Sequence, residues 1–126
     1  IKVCAVVMHQ VCHRFNDGEQ AYTPKDIHEV TKIPQQIINH AVKELLQAKL
    51  LVEIRSEKKG SFEESIILHP IEKIDHLTYG AMIERLFTYG ADVVGLAELN
   101  PDWEKWKDID VLNTEFVEKG KNINFV

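Results

Sequence analysis

Residues Tyr22–Leu51 read YTPKDIHEVTKIPQQIINHAVKELLQAKLL. Their punctuation decides the fold. Thr23 suits a helix N-cap, Pro24 suits a first turn where its missing N–H costs nothing, and Asp26 favours the positive end of the helix dipole. A helix is expected over Pro24–Thr31, with Ile27 and Val30 inward. The break at Lys32-Ile33-Pro34 is followed by a longer helix opening at Pro34. Ile37, Ile38, Ala41, Val42, Leu45 and Leu46 recur at three- and four-residue steps and form its expected buried stripe. A short helix, a tight turn and a longer helix make a helix-turn-helix pattern.

The flanks extend this unit. Ile1–Phe15 reads as a helix whose apolar positions are Val3, Val6, Val7, Val11 and Phe15, ended by Asn16-Asp17-Gly18. Leu50–Ile54 and Glu64–Leu68 read as strands around a Lys58-Lys59-Gly60-Ser61 turn, and His69-Pro70 closes the second. Such a wing directly after the third helix gives a winged helix-turn-helix, mainly α with a small β-hairpin. Leu77–Phe87 reads as a further helix with Met82, Ile83, Leu86 and Phe87 inward; Thr88-Tyr89-Gly90 ends it, and Gly80 is tolerable in its first turn. Residues 1–90 then form the winged-helix domain. Residues 91–126 form a C-terminal helical extension whose amphipathic helix starts at Asn100-Pro101-Asp102.

At 126 residues and 44% hydrophobic content the chain has the material for one core. Cys4 and Cys12 are eight apart on one helix, about 12 Å of rise, too far for a disulfide. They are expected to be reduced and buried, as in a cytoplasmic setting. The apolar run Ile1–Val11 is too short to span a bilayer. No signal peptide is visible, and a start at Ile1 rather than Met suggests a processed start or, as the preferred reading, a domain cut from a larger protein.

Charge argues against nucleic acid. The net charge is −5: residues 1–70 carry nine Lys/Arg against nine Asp/Glu, and residues 71–126 carry six against eleven. A nucleic-acid binder normally has a cationic excess, because neutralising phosphates supplies most of its affinity. The residues that would read DNA are Gln35, Gln36, Asn39, His40 and Lys43 on the third helix, with Arg55, Lys58 and Lys59 on the wing. Lys43 is followed by Glu44, and Glu53, Glu57, Glu63 and Glu64 surround the wing cations, so a solvated polar face is the preferred reading.

Other chemistry finds little support. His9 and His13 have the i, i+4 spacing of a zinc pair, but Cys12 lies off their row and no further ligand has recognisable spacing. Glu63 and Glu64 would point to opposite faces of a strand, and Asp108 and Asp110 do not share a helix face. There is no phosphate-binding glycine loop, zinc-protease helix or nucleophile elbow. No catalytic residue, metal or cofactor is expected. Trp103 and Trp106 share a helix face; packing on the chain's own core is the preferred reading, and a contact with a second copy or another domain is the alternative that makes them candidate interface anchors.

HRFNDGEQAYTPKDI (residues 13–27), IPQQIINHAVKELLQAKLLVEI (33–54) and HPIEKIDHLTYGAMIERLFTYGAD (69–92) occur in this order, followed by PDWEKW (101–106). Together they resemble the cytoplasmic C-terminal region of the YihY/BrkB family of inner-membrane proteins, formerly labelled ribonuclease BN. Pro70, Ile74, Leu77, Thr78, Leu86 and Gly90 match that family's tail pattern. The resemblance implies a multi-helix membrane part ahead of Ile1 and a soluble domain on the cytoplasmic face of the membrane. The partners expected are that membrane part and a second copy. The function it points to is a non-enzymatic interaction or regulatory domain. The alternatives are a DNA-binding regulator and, on the old family label, a tRNA-processing ribonuclease. Winged-helix repressors that hold iron–sulfur clusters have similar patterns but carry cysteines after the wing; this chain has none beyond Cys12.

Overall fold

The computed structural model describes residues 1–57, 64–89 and 106–126, with the backbone alone at 56, 57, 64, 65, 106 and 107. The described elements are α1 (Lys2–Asn16), α2 (Pro24–Thr31), α3 (Gln35–Gln47), β1 (Leu51–Glu57), β2 (Glu64–Pro70), a 3-10 turn (Ile74–His76), α4 (Tyr79–Tyr89) and α5 (Trp106–Gly120). The described residues are mainly helical, with five α-helices and one small antiparallel two-stranded hairpin. Among the described residues no helix is long and apolar enough to cross a membrane.

The start of α2 forms as its residues dictate. The Thr23 hydroxyl accepts the Asp26 N–H at 3.1 Å, and the Asp26 carboxylate accepts the Thr23 N–H at 2.9 Å. This reciprocal box satisfies two amides that the first helical turn otherwise leaves without partners. Asp26 therefore does more than complement the helix dipole. Thr23→Ala and Asp26→Ala are each expected to cost about 1 kcal/mol, measured as a lower urea midpoint at unchanged slope. Lys32 leaves α2 in the left-handed conformation, φ 63°. Pro34 then stands as the N-cap of α3, one residue before its first helical position.

The core gathers Cys4, Val7, Met8, Val11 and Cys12 of α1, Ile27 of α2, and Ile38, Ala41, Val42 and Leu45 of α3. Ala48, Leu50, Leu51, Leu68, Leu77, Met82, Ile83, Val117 and Phe125 complete it. Helix α1 lies on α3 and β2, α2 on α3, and α4 on α5. Three side chains expected inside are on the surface. Ile37 is 45% exposed because the α3 stripe centres on Ile38, Ala41, Val42 and Leu45, and Ile37 lies roughly a quarter turn from that centre. Val30 is 51% exposed, since α2 sinks only Ile27. Phe15 is in line with the α1 stripe but in its last turn, past the core, where its ring meets the His69 ring edge-on with their centres 5.7 Å apart.

The strands pair with Leu51 opposite Pro70, Glu53 opposite Leu68 and Glu57 opposite Glu64. β2 runs on through Pro70, whose missing N–H is tolerated at the strand end. On its other side β2 is tied to the loop before α2: the Leu68 N–H donates to the Tyr22 carbonyl at 3.0 Å. Lys49, φ 58°, turns the chain from α3 into β1. Its carbonyl accepts from Arg85 at 3.1 Å, and its ammonium sits 5.1 Å from the Tyr89 ring centre.

Helix α4 starts at Tyr79, two residues later than the apolar pattern suggests, because the Thr78 hydroxyl accepts the Ala81 N–H at 3.1 Å and acts as the cap. The C-terminal residues fold back on this point. The Tyr79 N–H donates to the Ile123 carbonyl at 2.8 Å, Thr78 pairs with Asn124, and the Tyr79 ring stands against Phe116 and Phe125. The helices meet at Gly80 and Gly120, where a Cβ on Gly80 would come within 2.3 Å of the Val117 carbonyl oxygen. The described part of the 91–126 segment thus shares one core with the rest, through Val117 and Phe125.

Candidate interaction site

Helix α3 presents its polar residues as the sequence suggests. Gln36, Asn39, His40 and Lys43 are exposed, and Gln35 is half-buried. The Gln35 amide donates to the Asn39 side-chain oxygen at 2.8 Å, so these two amides satisfy one another along the helix. His40 Nε2 lies 3.0 Å from Glu44 Oε1, one turn on. Glu44 Oε2 also accepts from the Cys4 thiol of α1 at 3.5 Å. An acidic group therefore sits between the polar face of α3 and the core. Lys43 is the one cation within Gln35–Gln47.

Of the three wing cations, Arg55 alone lies within the described residues. Arg55 is exposed on β1 and takes part in an interaction within the chain. Lys58 and Lys59 lie outside the described residues, as does Trp103. Trp106 opens α5, its side chain outside the described part.

The histidine pair of α1 does not gather a ligand set. The His9 and His13 rings are 4.1 Å apart, centre to centre. His9 Nδ1 lies 3.0 Å from the Phe125 carbonyl; a carbonyl only accepts, so this nitrogen carries the proton. Cys12 is fully buried in the core. Among the described residues no three His, Cys, Asp or Glu side chains are grouped to hold a metal ion.

Both thiols are free and buried. Burial first, and then the Glu44 carboxylate beside it, pushes Cys4 from 9.0 up to about 11. Burial alone pushes Cys12 up to about 11. A protonated thiol is a poor nucleophile, so neither is suited to covalent chemistry. At pH 8 a thiol reagent is expected to label the native chain slowly and both cysteines at once in urea. Above the ordinary value of 9.0 the unfolded thiols lose protons that the folded ones keep until about 11. Stability is therefore expected to fall as pH rises from 9 towards 11, and Cys12→Ala should flatten that slope.

Two features of the surface were not anticipated. Val52 and Ile54 stand exposed on the outer side of β1, at 40% and 39%. The signal was present, since Leu51-Val52 and Ile54 place apolar residues on both faces of the strand while one face meets the core. The Tyr22 contact to β2 had no such signal, because it joins two main-chain groups far apart in sequence. No family model, curated protein or solved structure was found that matches this chain.

Proposed function

We propose that this chain is a non-enzymatic winged-helix interaction domain, the cytoplasmic part of a YihY/BrkB-like membrane protein. The winged-helix reading is supported by element order and by the bond from Leu68 to Tyr22. That bond lays the loop before α2 alongside β2, as a third member of a wing sheet would lie. The observation that carries the functional reading is the charge of the α3 face. Lys43 is its one cation, with Glu44 following it and reaching both His40 and Cys4. A surface of amides with so little positive charge suits protein contacts, whereas duplex binding draws on several Lys or Arg at once.

Titrating a labelled mixed-sequence duplex with the 126-residue chain at low salt tests this, because even non-specific affinity is strongest there. The expected result is no binding. A saturable, salt-sensitive anisotropy change would overturn the reading in favour of a DNA-binding regulator. That second reading is favoured by one observation: Gln36, Asn39, His40 and Lys43 all project outward from a single helix, and amides in that position pair with adenine edges. The membrane-tail part is tested on the complete gene product, in which several apolar spans are expected ahead of Ile1.

A further inference from the structure

We infer that the outer edge of β1, unpaired among the described residues, is built to pair antiparallel with β1 of a second copy, about a two-fold axis through Ile54. This extends the reading of the chain as a protein-docking domain by naming one partner and its register.

The first ground is an open edge. β1 is paired only with β2 among the described residues, and Val52, Glu53, Ile54 and Arg55 are all exposed. An exposed strand edge offers a row of main-chain donors and acceptors to another strand.

The second ground fixes which residues offer them. The Leu68 N–H donates to Tyr22, so it points away from β1. Leu68 stands opposite Glu53. Directly opposed residues of an antiparallel pair either exchange hydrogen bonds or both turn away. The Glu53 N–H and carbonyl therefore face the open edge, and so do those of Leu51, Arg55 and Glu57, two residues apart. Pro70, opposite Leu51, has no N–H to offer β1, in keeping with this alternation. The Ile71 N–H donating to Leu50 at 3.1 Å supplies the other half of it.

Charge then selects the register. Two-fold pairing centred on Glu53 sets Glu53 against its own copy, and pairing centred on Arg55 sets arginine against arginine; like charges directly opposite are unfavourable. Pairing centred on Ile54 sets each Glu53 against the Arg55 of the other copy, twice per dimer. It also exchanges main-chain bonds through those same two residues. This is the one register in which all seven residues of β1 overlap, with Leu51 meeting Glu57. The interaction that Arg55 makes within its chain does not prevent the contact, because a guanidinium has five N–H donors. On the outer face Ile54 meets its own copy, with Val52 beside it, and both lose water contact.

Sedimentation equilibrium of the 126-residue chain tests the pairing. A monomer–dimer equilibrium is expected. Glu53→Arg and Arg55→Glu should each weaken it on the order of tenfold or more, because two attractive cross-strand pairs become repulsive. The chain carrying both changes should dimerise as the parent does. A cysteine at the axis gives a second measurement. Ile54→Cys is expected to cross-link between copies under mild oxidation, since residues facing across a two-fold of this kind have Cα atoms about 4.5 Å apart. Val52→Cys should not, because its own copy lies several residues away along the paired strands. A strict monomer at high concentration overturns the inference without bearing on the duplex titration. So does a dimer indifferent to either single reversal, a double variant that stays monomeric, or equal cross-linking at 52 and 54.

Discussion

Gly80→Ala is expected to lower stability by about 3 kcal/mol or more, one of the largest losses available to a single methyl group in this chain. The added Cβ would lie 2.3 Å from the Val117 carbonyl oxygen, 2.5 Å from the Lys121 nitrogen and 2.8 Å from the Gly120 carbonyl carbon. All three atoms are main chain, so no side chain can swing aside. The only relief is to part α4 from α5. That exposes Val117 and Phe125 and strains the bonds from Tyr79 to Ile123 and from His9 to Phe125. Gly120→Ala meets the same crossing from the other side, with its Cβ 2.7 Å from the Gly80 nitrogen and 2.8 Å from its Cα. A comparable loss is expected there. Because one separation of the helices relieves both clashes, the double variant should cost little more than either single change. Gly18→Ala is the control. Gly18 has φ +67° but nothing within 4 Å of its Cβ position, so only the left-handed strain remains, about 1 kcal/mol. Urea denaturation of the four variants decides the matter; a Gly80→Ala midpoint near that of Gly18→Ala would sink it.

The second large effect separates two neighbours that the hydrophobic pattern treats alike. Ile38→Ala is expected to cost about 2–5 kcal/mol, through lost burial and the cavity left behind. Ile37→Ala should cost under about 1 kcal/mol. Ile38 has no exposed surface and sits within the cluster of α1, α2 and α3 side chains, whereas Ile37 keeps nearly half its surface in water. Chemical denaturation checks both, and equal losses at the two positions would contradict the placement of the α3 stripe.

Local signals are legible in the sequence, whereas features set by packing are not. The start of α2 was legible because Thr23, Pro24 and Asp26 are local signals, and a capping box is completed within four residues. The existence of α3 was legible, but not its rotation. Ile37 and Leu46 flank a stripe broad enough to satisfy several orientations, and only packing against α1 and α2 chooses one. The same ambiguity affects α1, where Val3, Cys4, Ala5, Val6, Val7 and Met8 are all apolar. The structure centres its buried face on Cys4, Met8 and Val11 rather than on the valines alone. The Gly80–Gly120 crossing was illegible, since a glycine in a first turn looks merely tolerated until the helix that crosses it is known. Gln36, Asn39, His40 and Lys43 lie on the surface as the α3 pattern suggests, with Gln35 half-buried, but the Glu44 link to Cys4 and His40 depends on how α1 packs.

The hydrogen bond from Leu68 to Tyr22 also bears on solubility at high concentration. A bare two-stranded ribbon has two flanks and invites further ribbons on both, which is how cross-β stacks propagate. Here the far flank of β2 is stoppered at Leu68 by the chain's own backbone. Strand addition along β1 would consume the remaining flank and close the assembly at a two-fold pair, since an isologous contact leaves no second copy of itself on offer. The loop before α2 is thus a terminator as well as a connector: under the proposed pairing it would turn a sheet edge that could seed fibres into one that stops at two.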